Sequence, residues 1–338
     1  ERWKSEKLAE MDLSTAFQIC KNNISHVDVK TFLAKDFGRI YQVTPGLPCV
    51  LKNAMEHWSA MKLWTLSSFS ADFGHQKVIC DHRFGIHLRM NDFIKYLKSQ
   101  DDDSPLYLFD HCFGEYPSTR ALLDQYDVPK IFGEDLLASL GRLRPPYRWL
   151  LIGPKRSGST LHKDPLGTSA WNALISGRKL WVLFPPSTPV EILRSDSLSV
   201  SAESAISWFL WWKQVRENPW PQEHEPIEFI QEPGEIVFVP ARWWHAVLNL
   251  EDAIAVTQNF CNEWNAASVW RCAKATHPLL ARQLRERLEE HCSREAVLPG
   301  DDPTQSYLFD TSAECSKEED DSSDDEYLTW LWESKRRA

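Results

Sequence analysis

Between Tyr147 and Phe260 the chain alternates short apolar runs with Gly and Pro: RWLLIG, SAWNALISG, KLWVLFPP, EPIEFI, GEIVFVP, HAVLNL and AIAVTQNF. Runs of this length, rich in β-branched and aromatic residues and cut by turn residues, predict the strands of a β-barrel or sandwich. Before them the period is longer. Ser14 to Lys21 and Asp28 to Phe37 read as short amphipathic helices, and Pro45 to Pro48 breaks the pattern ahead of a strand-like Cys49 to Lys52. Trp58 and Trp64 follow in a helix and turn. Met90, Phe93, Ile94 and Leu97 share one face of a helix predicted over Met90 to Ser99, which leads into the acidic turn Asp101 to Asp103 and a strand-like Leu106 to Phe109. A helix-and-loop insertion, Ser201 to Pro221, interrupts the strands. Its Trp208, Trp211, Trp212 and Trp220 either pack on the barrel or form a substrate-facing wall, with packing preferred. Helical spacing returns from Ala266 to about Cys292, giving an apolar face for a homodimer or for an intramolecular cap. After Pro299 the chain is acidic and aperiodic, the pattern of a disordered tail. No internal repeat is visible.

Composition narrows the class. With 338 residues and 43% apolar content the chain can bury a substantial core in one large domain or two small ones. Its longest apolar stretch, Ala205 to Trp212, is far below the roughly 18 residues of a membrane span. No charged-then-apolar leader opens the residues given, which begin at Glu1 rather than methionine, so membrane insertion and secretion are not expected of them. The eight cysteines are scattered without a CxxC pair, which points to free thiols in a reducing compartment and away from a zinc finger. The net charge of -10 is concentrated between Glu314 and Glu326, where a single lysine stands among the acids. The nearly neutral body does not indicate a general RNA surface, although Arg142, Arg144, Arg148, Lys155 and Arg156 make a candidate basic patch. In the tail, Ser322 and Ser323 suit an acidophilic kinase, Tyr327 to Trp332 is apolar enough to dock, and Lys335-Arg336-Arg337 is too short for a localisation signal.

The chemistry gathers around one triplet. His162 and Asp164 are two residues apart, so on a strand both project from one face while Lys163 points away. A second imidazole, His245 at the head of the HAVLNL strand, completes a two-His, one-carboxylate facial triad that leaves three positions of an octahedral Fe(II) open. His26-Val27-Asp28 is a decoy of the same form, set in what reads as a helical region without strand context. Ser176-Gly177 predicts a two-residue hairpin that pairs Leu174 with Lys179, placing Asn172 and Lys179 on one face. A lysine facing into a barrel requires an anion, which the distal carboxylate of 2-oxoglutarate would supply; a surface lysine at the hairpin is the alternative reading. A second hairpin, His245 to Asn249 with Ala253 to Phe260 about a turn near Glu251, places Thr257 opposite His245.

Two long stretches, GSTLHKDPLGTSAWNALISGRKLWVLFPPSTP and PGEIVFVPARWWHAVLNLEDAIAVTQNF, resemble the Jumonji-C (JmjC) hydroxylases. DDSPLYLFD, RPPYRW and the Trp58 and Trp64 region extend the likeness over about residues 1 to 264. It is strongest to the phosphatidylserine-receptor-like branch, a nuclear lysyl hydroxylase also proposed as an arginine demethylase. The resemblance implies a mainly β chain with flanking helices, built on a double-stranded β-helix (jelly-roll, cupin-like) core. It divides the chain into an N-terminal elaboration (1–140), the catalytic core (141–264), a C-terminal helical region (265–298) and the tail (299–338). It implies that His162, Asp164 and His245 bind Fe(II), while Lys179, Thr257, Asn172 and the hydroxyl of Ser159 contact 2-oxoglutarate. It further implies O2 as oxidant, with ascorbate in support, and a dioxygenase that hydroxylates lysyl side chains or, alternatively, demethylates N-methyl arginine or lysine. The partners expected are protein substrates, histones or RNA-associated proteins among them, and the location is the nucleus or otherwise the cytoplasm. Lys163 departs from the family by replacing an apolar residue, and the related branch's serine tract and extended basic signals are absent. The competing classes are a non-catalytic JmjC scaffold binding protein or RNA, and a cupin-type metalloenzyme that uses no 2-oxoglutarate.

Overall fold

The computed structural model describes residues 6–17, 21–43, 45–81, 85–193 and 204–294, with side chains of the last helix as far as Glu286. The tail features named above lie outside the described residues. Thirteen strands are present among the described residues: β1 (Ser25–Asp28), β2 (Cys49–Lys52), β3 (Lys77–Asp81), β4 (Ile86–Arg89), β5 (Leu108–Asp110), β6 (Arg148–Gly153), β7 (Gly158–His162), β8 (Ser169–Ser176), β9 (Lys179–Phe184), β10 (Ile227–Gln231), β11 (Ile236–Val239), β12 (Trp244–Asn249) and β13 (Ala253–Phe260). They form a seven-stranded sheet, β1-β2-β11-β8-β13-β6-β5, a four-stranded sheet, β10-β9-β12-β7, and the separate pair β3-β4. The two larger sheets pack face to face through Val237 and Val239 on one side and Trp181, Leu183, Phe229 and Val247 on the other, the two-layer arrangement of a jelly roll. Strands β1, β2 and β5 come from the N-terminal elaboration and widen the larger sheet.

Both outer faces are apolar and covered. Leu180, Val182, Phe184, Ala246 and Leu248 of the small sheet receive Trp208, Phe209 and Trp212 from the helix Ala205–Val215, together with Leu8, Leu13 and Phe17. The insertion tryptophans therefore pack on the barrel. On the large sheet, Trp171, Ile236, Phe238 and Val256 meet Trp58, Trp64 and the helix Met90–Ser99, whose Met90, Phe93, Ile94 and Leu97 are buried as its spacing predicts. Each such side chain stabilises the fold by about 1.5–3 kcal/mol. The C-terminal helices Ala266–Thr276 and Pro278–Arg294 cap the turns Leu136–Leu143 within the chain through Val269, Leu280 and Leu284. Among the described residues no helix is long and apolar enough to cross a membrane. Among the described residues Cys49, Cys80, Cys112, Cys261 and Cys272 are not joined in disulfides.

Three expectations are corrected. His26 and Asp28 lie on β1, paired in parallel with β2, and the following helix is confined to Ala34–Phe37 and its π-helical continuation Gly38–Gln42. Leu174 does not pair with Lys179, because β8 and β9 belong to opposite sheets and the turn between them carries the chain across. Gly177 makes that crossing: its φ is +82°, and a Cβ there would lie 2.3 Å from the Asp252 carbonyl oxygen. For the same reason Thr257 is not opposite His245. β13 pairs with β8 and β6, so Thr257 faces Asn172, whereas Lys179 faces Asn249 across β9 and β12.

Candidate metal centre and the residues around it

β7 ends at His162, and β12 brings His245 directly opposite it, with the two ring centroids 4.1 Å apart. Asp164 stands just past the strand in extended backbone, at the head of the turn Pro165–Gly167. One ligand atom from each of the three residues falls within 4.8 Å of the others. His162 Nδ1 lies 2.7 Å from the Thr160 carbonyl and His245 Nδ1 lies 3.1 Å from the Trp243 carbonyl. Carbonyls only accept, so each Nδ1 carries the proton and each Nε2 keeps its lone pair for a metal.

Asp164 Oδ1 accepts a hydrogen bond from Asn259 Nδ2 at 3.1 Å, and the same amide donates to Thr168 Oγ1 at 3.1 Å. Asp164 Oδ2 is buried without a hydrogen-bond partner, 3.9 Å from His245 Nε2. Burial pushes the Asp164 carboxyl above its ordinary range, while His162 and the Asn259 amide pull it down. A buried oxygen left without a donor is costly, and a divalent cation between these three side chains would satisfy it. The donor set fits ferrous iron with three positions open. Trp181 stacks on the His245 ring at 6.1 Å, and Lys163 turns outward to place Nζ 4.3 Å from the Trp244 ring centroid. Asp28, by contrast, accepts from the Lys30 backbone and the Asn53 amide. Among the described residues no third ligand joins it to His26.

Lys179 is 1% exposed and projects from β9 between the sheets. Its Nζ donates to Tyr107 Oη at 3.1 Å and to Asn249 Oδ1 at 3.0 Å, and burial pushes its pKa down to about 7. Asn172 and Thr257 stand opposite each other on the inner face of the large sheet. Thr257 Oγ1 donates to the Trp171 carbonyl at 2.8 Å, and Asn172 Oδ1 is buried without a partner. Ser159 on β7 is half-buried opposite Val247, an inward residue. The seven expected site residues thus lie on strands of the two facing sheets or just past β7, with the metal group at one end of the small sheet, Lys179 toward its other end, and Asn172 and Thr257 on the large sheet.

Tyr107, Asn249 and Asn259 were not anticipated. Asn259 was within reach of the strand pattern, since it shares a face with Thr257 two residues earlier. Asn249 and Tyr107 depend on which strands pair. Of the candidate basic patch, Arg142 and Lys155 are exposed, while the other three arginines are engaged within the chain. Arg144 is buried against Asp135, Arg148 pairs with Glu115 at 3.2 Å, and Arg156 is buried with its Nη2 2.8 Å from Gln100 Oε1.

The family model described as a cupin-like domain matches residues 37–266. The bifunctional arginine demethylase and lysyl-hydroxylase psr-1 of Caenorhabditis briggsae is 39% identical over 285 residues, covering 82% of this chain and 71% of that protein. The arginine-specific demethylase JMJ22 of Arabidopsis thaliana is 37% identical over 67% of this chain and 44% of its own length. The 2-oxoglutarate and iron-dependent oxygenase JMJD4 of Homo sapiens is 30% identical over 71% of this chain and 62% of its own length.

Proposed function

We propose that this chain, which belongs to the cupin-like Jumonji-C family and is a 2-oxoglutarate- and iron-dependent oxygenase, acts on protein side chains and hydroxylates lysine. The observation that carries the site assignment is the convergence of His162, Asp164 and His245 around a buried, partnerless carboxylate oxygen, on the same interior surface as a buried lysine. The substrate class is supported by the names of the relatives that match most of the chain.

In this reading His162, Asp164 and His245 hold the iron through Nε2, a carboxylate oxygen and Nε2. Lys179 receives the distal carboxylate of 2-oxoglutarate, with Thr257, Asn172 and Ser159 around the rest of the molecule. When bound, iron and 2-oxoglutarate together supply the oxidising power, from O2, that converts an unactivated C–H bond to C–OH. The protein's part is orientation and exclusion of water. Backbone carbonyls hold both imidazoles in the ligating tautomer, Asn259 and Thr168 hold the carboxylate, and Trp181, Leu183, Phe229 and Val247 keep the interior dry.

N-demethylation is the second reading, because the same relatives carry both activities in their names and the two reactions share the hydroxylation step. Histones and RNA-associated proteins of the nucleus are the substrates to try first. Mass spectrometry after incubation with Fe(II), ascorbate and 2-oxoglutarate separates the readings: a gained oxygen on lysine supports hydroxylation, and loss of a methylene from a methylated residue supports demethylation. Failure to turn over 2-oxoglutarate with or without any substrate would favour the scaffold.

A further inference from the structure

Behind Lys179 lies a second layer of polar groups that the site described above does not use. Asn249, directly opposite Lys179, accepts from its Nζ, and Asn249 Nδ2 donates to Ser157 Oγ at 2.8 Å. Ser157 Oγ donates in turn to the Pro154 carbonyl at 2.6 Å. Chemistry sets the direction of this chain. The Pro154 oxygen only accepts, so it takes the serine proton, and Ser157 Oγ then receives the amide NH2 of Asn249. Asn249 is left to present its oxygen to Lys179. Backbone bonds clamp the two segments, from Asn249 N to Ser157 O at 2.8 Å and from Arg156 N to Asn249 O at 2.9 Å.

Gly153 supplies the space. A Cβ there would lie 2.4 Å from Ser157 Oγ, 2.5 Å from Tyr107 Cδ2 and 2.8 Å from Asn249 Nδ2, although its φ is outside the left-handed region. The glycine therefore answers to the convergence of these three side chains and not to a turn.

We propose that Asn249 and Ser157 are positioning residues for co-substrate capture, holding Lys179 from behind so that its remaining N–H and the Tyr107 O–H are aimed together at one carboxylate of a dicarboxylic 2-oxo acid. An ammonium has three N–H bonds, of which Tyr107 and Asn249 take two. The Tyr107 hydroxyl accepts from Nζ and so keeps its own proton to give. The two donors left match the two oxygens of a carboxylate. Without Asn249 the ammonium regains rotational freedom, and the aim is lost.

The inference rests on the 2-oxoglutarate dependence of the enzyme, and its test reads binding directly. 2-Oxoglutarate is titrated calorimetrically into the Mn(II)-loaded full chain, and Mn(II) affinity is measured beside it. Ser157→Ala and Asn249→Ala are each expected to weaken 2-oxoglutarate binding by about tenfold, with Mn(II) affinity unchanged. In a Lys179→Met background, Asn249→Ala is expected to cost nothing more, since its effect passes through the ammonium. Asn249→Asp places an anion against Nζ that competes with the co-substrate, and binds it more weakly than Asn249→Ala. Should Asn249→Ala fail to fold, Ser157→Ala, which removes only a hydroxyl, decides the matter. Affinities within about twofold of wild type in the folded variants, or full additivity with Lys179→Met, overturn the proposal alone. No binding by the wild-type chain overturns it together with the reading on which it rests.

Discussion

Asn259 donates from one amide nitrogen to both Asp164 and Thr168, and so ties the carboxylate between the two histidines to β13, an interior strand of the large sheet. Asp164 itself stands beyond the end of β7, where no ladder bond holds it. Asn259→Ala is therefore predicted to weaken Mn(II) binding by about 10- to 100-fold while the fold is retained. Metal titration of the folded variant checks this; an unchanged affinity would leave Asn259 a packing residue.

The unpartnered Asp164 oxygen makes a prediction for the metal-free protein. Burial raises the folded-state pKa of Asp164, so the folded state holds its proton to higher pH than the unfolded chain. That term is harmless below the unfolded pKa and removes stability as pH rises through the folded pKa. At neutral pH Asp164→Asn is thus expected to raise the melting temperature of the metal-free chain and to abolish the stabilisation given by Mn(II). Melting curves with and without metal test both halves, and a lower metal-free melting temperature in the variant would contradict the first.

Lys179, with its pKa pushed down to about 7 by burial, predicts a pH-dependent co-substrate affinity. A bound carboxylate favours the ammonium, so binding takes up a proton wherever the free enzyme has lost it. The dissociation constant should be flat below about pH 7 and rise toward about tenfold per pH unit above it. Titrations between about pH 6 and pH 9 are expected to show this slope in wild type and none in Lys179→Met, whose residual binding is weak throughout.

Much of the fold was legible because side-chain facing depends on alternation within a strand. Asn172, Lys179 and Thr257 face the interior as their spacing suggests, although both hairpins used to place them were wrong. Partner choice was not legible, because the strands on either side of the turns at Gly177 and near Glu251 enter opposite sheets, although those turns look like ordinary hairpin turns. The helix Met90–Ser99 is legible at its bounds because one apolar stripe, Met90, Phe93, Ile94 and Leu97, is buried along it. His26-Val27-Asp28 shows the limit: it lies on a strand after all, and what separates it from His162 and Asp164 is tertiary, namely the exposure of His26, the satisfied carboxylate of Asp28 and the lack of a third ligand near them among the described residues.

The crossing at Gly177 offers a test of the sheet assignment. Alanine there would sit at a φ of +82° with its Cβ 2.3 Å from the Asp252 carbonyl oxygen. Gly177→Ala is predicted to destabilise the chain by at least about 2 kcal/mol, beyond the usual cost of a surface change. Denaturant unfolding measures it, and a loss under about 0.5 kcal/mol would argue against the crossing as described.

The central claim is that the three clustered side chains make an iron site for 2-oxoglutarate oxidation. Its most direct test is succinate formation from 2-oxoglutarate under O2, with and without added Fe(II), in wild type, His162→Ala and Asp164→Ala. Succinate that depends on Fe(II) in wild type and vanishes in both variants is the predicted result. Equal succinate formation by folded His162→Ala or Asp164→Ala, or none from the iron-loaded wild type with any protein substrate, would contradict it.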